Sequence, residues 1–179
     1  QNKETFEQYN FKKIVTQCPH CFTTLKNDYA EMGIELDVVH HSQYIDELIN
    51  EKKIEPKPYL DEDITFHDPC YLGRHNGEYD APRKVLQSVL KEGSIKEMEQ
   101  SKSDSFCCGA GGGNMWYEIK TGERINQHRV NQAVDTEAKT IAAACNFCNI
   151  MLEDGVKTTG NEENIRVVDI AEMVSKGLE

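Results

Sequence analysis

Seven of the 179 residues are cysteines, and they fall as Cys18-x-x-Cys21, Cys70, the adjacent pair Cys107-Cys108, and Cys145-x-x-Cys148. Thirty-six residues separate Cys70 from Cys107, and another 36 separate Cys108 from Cys145. A secreted disulfide framework would be shorter, would follow a signal segment and would usually hold an even number of cysteines. Two CxxC pairs in an acidic chain without such a segment instead point to thiols kept reduced for metal or redox work. A cysteine-ligated metal centre is therefore the expected chemistry, with Cys70, Cys107, Cys108, Cys145 and Cys148 as its ligands.

Five converging thiols are one more than tetrahedral zinc or a cubane cluster requires. A CxxC between a strand and a helix sets two sulfurs at the first helical turn, where free amides and the positive dipole end favour thiolates. Adjacent cysteines in extended chain would point to opposite sides, so Cys107 and Cys108 can share a site only across a sharp turn. Gly109, Gly111, Gly112 and Gly113 come next and permit one, and glycines also let backbone amides approach sulfur. The same run has no Gly-Lys-Ser/Thr for a P-loop. Asn114 stands where the last glycine of a dinucleotide fingerprint should be.

The elements that must position these thiols emerge from the hydrophobic pattern. Strands are expected at 11–16, 36–40, 64–67, 95–98, 140–144 and 165–168, and helices at 22–31, 42–51 with Ser42 as N-cap, 81–90, 114–134, 149–156 and 170–176. Alternating strands and helices imply an α/β fold, Rossmann-like, with a mostly parallel sheet flanked by helices. Its strand ends would deliver the sulfurs to one edge.

The run Ile14-Val15-Thr16-Gln17-Cys18-x-x-Cys21 with its downstream helix, Val38-Val39 and second helix is echoed by 142–148, Val167-Val168 and a last helix. The proline-containing stretch 54–61 reads as a boundary. Residues 1–55 are then expected to be the end of one repeat packed on a complete second repeat, 56–179. The chain starts at Gln1 and reads as a fragment.

A net charge of −11, spread along the chain, excludes the clustered basic face that nucleic acid needs and suits a basic protein partner. No apolar run reaches the roughly 20 residues of a membrane helix. The charged segment 92–104 reads as a solvated connection.

The elements His67-Asp68-Pro69-Cys70, Cys107-Cys108-Gly109 and Cys145-Asn146-Phe147-Cys148 resemble the cysteine-rich CCG domain. That family takes in the heterodisulfide reductases, in their B component, and related iron–sulfur oxidoreductases. The longer runs 67–77 and 107–116 are most similar to membrane-associated members that pass electrons between electron-transfer flavoprotein and quinone. The resemblance implies a non-cubane [4Fe–4S] cluster on Cys70, Cys107, Cys108, Cys145 and Cys148. Cys18 and Cys21 then resemble the closing CxxC of an incomplete preceding site. It also implies an electron-transfer domain, inactive alone, whose partners are other domains of a parent oxidoreductase and a redox protein such as electron-transfer flavoprotein. The fragment would be cytoplasmic, and its parent would sit on the cytoplasmic face of the membrane. Zinc at the same cysteines, or disulfide chemistry at the cluster as in heterodisulfide reductase, are the competing readings.

Around the thiols, His67 is either part of a turn, with Asp68 capping the next segment, or a donor or proton carrier beside the centre. Five thiolates about a 2+ core would leave roughly −3 of charge, which Arg74 could offset or which a solvated Arg74 could ignore. Met115 and Trp116 read as core, and His20, His40 and His41 as ordinary loop residues. Cys107 and Cys108, beside the glycine run, would be the first to oxidise.

Overall fold

The computed structural model describes residues 2–117 and 121–179 and shows a mixed α/β protein. Its first half holds α1 (Asn2–Phe6), β1 (Ile14–Thr16), α2 (Pro19–Thr23), a π-helical turn (Thr24–Asp28), α3 (Tyr29–Glu31), β2 (Val38–His40) and α4 (His41–Asn50). Then come β3 (Ile64–His67), α5 (Asp80–Gln87), 3-10 turns at Lys102–Asp104 and Gly111–Trp116, and α6 (Ile125–Val134). The chain ends with β4 (Thr140–Ala143), α7 (Asn146–Thr158), β5 (Arg166–Asp169) and α8 (Ile170–Gly177).

The strands form two parallel sheets, β1-β2 and β3-β4-β5, where one sheet was expected. Thr16 pairs with His40, and His67 with Ala143, which pairs in turn with Asp169. Parallel partners need helical crossovers, and α2–α3 and α7 supply two of them. Every residue of β3 and β4 is buried, as expected of parallel strands covered on both faces. One apolar cluster joins Phe22 and Val38 of the first half to Ile64, Phe66, Leu86 and Ile170 of the second. A second gathers Val130, Ala133, Ile141, Leu152 and Ile165 around Cys108, Cys145 and Cys148.

Several expected boundaries move for local reasons. The first helix opens at Pro19, inside the CxxC, because proline's fixed φ suits the first helical position. Ser42 is not the N-cap of α4. His40 is, with its ring Nδ1 accepting from the Ser42 amide at 3.4 Å and Gln43 Oε1 accepting from the His40 amide at 3.2 Å. The helix expected over 114–134 begins only at Ile125; Tyr117 is extended and Gly122 has φ +77°, both incompatible with continuation. Residues 118–120 of that expected helix lie outside the described residues. The strand expected over 95–98 amounts to one bridge, Ile64 to Ile95, since Met98 turns into the core instead.

His40 and His41, expected in a loop, are buried at the junction of the two halves. The His40 Nε2 donates to the Gln17 carbonyl at 3.2 Å. Burial, reinforced by neighbouring His41, pushes the His40 pKa down to about 3 from an ordinary 6.5. The unfolded chain therefore binds more protons than the folded one between these values. His40 contributes no penalty above pH 6.5, and stability falls as pH drops from there toward 3. The limiting slope is about 1.4 kcal/mol per pH unit. His40→Asn keeps a capping acceptor but does not titrate, so its unfolding free energy should change less between about pH 7 and pH 5. Urea unfolding under reductant measures this, and equal pH slopes in both proteins would refute it.

Candidate metal centre

Two strands of the three-stranded sheet end at the thiols. β3 runs into His67-Asp68-Pro69-Cys70, and β4 into Ala144-Cys145. Cys70 opens a tight turn in which the Gly73 amide donates to the Pro69 carbonyl at 2.9 Å. Cys145 is the extended N-cap residue of α7, and Cys148 lies in its first turn. Cys18 has the same place before α2. Both CxxC motifs thus hold the strand-to-helix position that their sequence implied.

The Cys107-Cys108 pair comes from a loop pinned to the Cys70 turn. Ser105 Oγ donates to the Asp68 carbonyl at 3.2 Å, and the Ser105 carbonyl accepts from Arg74 Nη1 at 2.6 Å. Gly109 adopts φ +91°, which makes the sharp turn that two adjacent cysteines need. Its amide donates to Cys107 Sγ at 3.2 Å. A Cβ here would also come within 3.2 Å of the Ile125 Cβ.

The result is a cavity of about 40 Å³ lined by all five cysteines, Cys70, Cys107, Cys108, Cys145 and Cys148. Pro19, His20, Tyr71 and Phe147 complete much of its wall. Among the described residues no carboxylate lines it, so the donor set is soft sulfur, which fits an iron–sulfur cluster or zinc. Cys108, Cys145 and Cys148 are buried, and a ring nitrogen of His67 lies within 4.8 Å of the Cys108 and Cys148 sulfurs.

The sulfurs shift one another's pKa. Hydrogen bonds from Cys107, then Cys148, then His67 pull the Cys108 pKa down against its burial. The Cys148 hydrogen bond, helped by His20, brings Cys145 down to about 5. Cys148 is raised in turn by those same bonds to Cys108 and Cys145, and Cys107 is raised by its bond to Cys108 and by burial. Cys70 is raised by burial, with the Arg74 guanidinium acting against it.

A family model for the cysteine-rich CCG domain matches residues 1–26 and 64–153. The chain belongs to the CCG cysteine-rich domain family. This CCG domain is 43% identical over its full length to the EtfAB:quinone oxidoreductase of Syntrophomonas wolfei subsp. wolfei, covering 26% of that protein. It is 41% identical over 99% of its length to the probable iron-sulfur-binding oxidoreductase FadF of Bacillus subtilis, covering 25% of it. The D component of the dihydromethanophenazine:CoB–CoM heterodisulfide reductase of Methanosarcina barkeri is 37% identical over 99% of the chain, and 43% of that component is covered. The CCG domain therefore spans between a quarter and a half of the length of these relatives.

Within the CCG domain, Cys18 and Cys21 stay outside the five-thiol cavity. Burial and Cys21 raise the Cys18 pKa to about 11 despite the amides of the first turn. Cys21 is the exposed thiol, so it, and not the Cys107-Cys108 pair, is the first open to oxidation. Asp68 caps no helix. It takes a bidentate pair from Arg83 at 2.8 and 2.9 Å and the Lys102 amide at 2.8 Å. Trp116 is 83% exposed rather than core, since the glycines at 112 and 113, both with positive φ, turn its segment outward.

The sequence reading missed one residue of this wall and one buried behind it. His20 lies in the cavity between the halves, its ring 4.1 Å from that of Tyr71 and 5.6 Å from that of Phe147. Arg129 is fully buried and donates from Nε to His67 Nδ1 at 3.0 Å. One signal for it existed. Arg129 shares the inward face of α6 with Asn126, Val130 and Ala133, at helical spacing.

Proposed function

We propose that Cys70, Cys107, Cys108, Cys145 and Cys148 hold an iron–sulfur cluster, of the non-cubane [4Fe–4S] kind, and that the chain is an electron-transfer domain of a larger oxidoreductase. The observation that carries this reading is the convergence of five thiols on one cavity, one more sulfur than a cubane or zinc site takes. When bound, such a cluster takes and gives single electrons. The chain's own contribution is to hold the sulfurs, to keep water away with Pro19, Tyr71 and Phe147, and to place N–H donors on sulfur. Gly109 and His67 supply two of those donors, and Arg74 acts on Cys70.

The relatives named as iron-sulfur-binding oxidoreductase and as heterodisulfide reductase support this reading. The oxidoreductase named for EtfAB and quinone supports electron-transfer flavoprotein as a partner, and a relative named as a probable membrane-anchored ferredoxin, from Chromohalobacter salexigens, supports a membrane-associated parent. Among the described residues no helix is long and apolar enough to cross a membrane. We read residues 1–55 as the end of a preceding CCG repeat and 56–179 as a complete one, in a Rossmann-like arrangement. The order strand, CxxC, helix, strand, helix recurs in β1–α4 and β4–α8 and supports that division. Cys18 and Cys21 then belong to the incomplete first site.

One observation favours zinc as a second reading. His67, Cys108 and Cys148 are close enough to form a three-ligand zinc site. Anaerobic reconstitution with iron and sulfide, followed by metal analysis, visible absorption and EPR, separates the two. Iron near four per chain with stoichiometric sulfide is expected for the cluster. Stoichiometric zinc with no iron uptake would rule the cluster out.

A further inference from the structure

Arg129 is the largest fully buried side chain of the protein, yet its hydrogen bonds reach no carboxylate. It donates from Nε to His67 Nδ1 at 3.0 Å, from Nη1 to the Gln100 carbonyl at 2.8 Å and Gln132 Oε1 at 2.7 Å, and from Nη2 to Ser105 Oγ at 3.2 Å. A buried cation held only by neutral acceptors is costly, so its position calls for a reason. Across space its charge is supported first by the Asp68 carboxylate, then by the sulfurs of Cys148, Cys108 and Cys107.

The reason is in the direction of one hydrogen bond. A guanidinium has five donors and no lone pair, so a ring nitrogen bonded to it has to accept. His67 Nδ1 therefore carries no proton, and the proton of the neutral ring sits on Nε2. A ring nitrogen of His67 lies within 4.8 Å of the Cys108 and Cys148 sulfurs, and neither nitrogen offers a free lone pair: Nδ1 accepts from Arg129 and Nε2 bears the proton. A metal-binding histidine has the opposite polarity, donating its outer N–H to an acceptor and offering a lone pair inward.

We propose that Arg129 is a positioning residue that keeps the His67 proton on Nε2, available to a cavity sulfur, and denies the ring to a metal as a ligand. The separation of 62 positions is spanned because α6 packs Arg129 against the end of β3. His67 is thereby removed from the three-ligand zinc set, and the site is biased toward an all-sulfur guest. An N–H···S bond of this kind also raises the potential of a cluster on that sulfur. This last consequence rests on the iron–sulfur reading; the tautomer does not.

Long-range 15N–1H correlation spectra of the reduced, metal-free chain read the tautomer directly. The wild type should show His67 as the Nε2–H form alone, and an Nδ1–H form would overturn the proposal even if no variant folded. Arg129→Met should free Nδ1, so that the ring no longer holds the Nε2–H form alone, and should raise zinc affinity roughly tenfold, the scale of an added or lost supporting contact. Arg129→Lys, again a pure donor, should restore Nε2–H. In a His67→Phe background Arg129→Met should leave zinc affinity unchanged. An unaltered tautomer in Arg129→Met, or a zinc gain that persists without His67, would overturn the proposal. A chain that takes up no iron would defeat the cluster reading while leaving these readouts intact.

Discussion

Cys108→Ser is expected to cut the iron retained after anaerobic reconstitution to below about a tenth of the wild-type amount, because even supporting contacts around metal ligands are worth 10–100-fold. The Cys108 pKa is drawn down against its burial by Cys107, Cys148 and His67. It is 5% exposed, so a lost ligand cannot be replaced readily by water. Serine keeps the shape but offers a hard, protonated oxygen in place of a soft thiolate. The matching control is Cys21→Ser, at the exposed thiol outside the cavity, which should retain wild-type iron. Iron and sulfide per chain and the visible band measure both. Full retention in Cys108→Ser, or equal loss in Cys21→Ser, would remove the cluster from the five-thiol cavity.

Asp68→Ala should destabilise the fold by about 3 kcal/mol, the low end of the cost of breaking a buried ion pair. Asp68 is 4% exposed and takes both terminal nitrogens of Arg83 together with the Lys102 amide. Burial works against the Arg83 charge, but the hydrogen bonds to Glu97 and Asp68 outweigh it and hold the pKa above the ordinary value. Without Asp68 the guanidinium keeps only Glu97 as a charged partner, at 2.7 Å, and that carboxylate is 37% exposed. Hence the low end of the range. Asp68→Asn retains one acceptor and should lose less, about 1–2 kcal/mol. Urea unfolding under reductant gives both values, and a loss below about 1 kcal/mol in Asp68→Ala would mean that Glu97 alone satisfies Arg83.

Much of the arrangement was legible because it is local. Strand–CxxC–helix order places Cys18 and Cys145 at N-caps whatever packs around them, and helical spacing or buried β-branched runs mark α4, α8, β3 and β4. Gly109 was legible for the same reason, since two neighbouring sulfurs demand a turn. Errors arose where a nonlocal partner decided the outcome. His40 took the capping role from Ser42 because its ring also reaches the Gln17 carbonyl across the β1-β2 sheet. The helix expected from 114 fails because Gly112, Gly113 and Gly122 adopt positive φ, which apolar spacing does not register. Two sheets replaced one because the break between β2 and β3 is a matter of packing, not of strand propensity.

By itself the sequence determined the chemistry: how many thiols there are, which strands carry them, and that a glycine must come after the adjacent pair. These depend on residue type and on spacing within a few positions. Only the tertiary structure decided which cysteines share a cavity, that His20 from the first half lines it, and which way the proton of His67 points. The last depends on Arg129, 62 residues away in sequence and 3.0 Å away in space. Hydrogen-bond direction is set by whichever donor the fold buries next to the ring, and no motif in a linear chain records it.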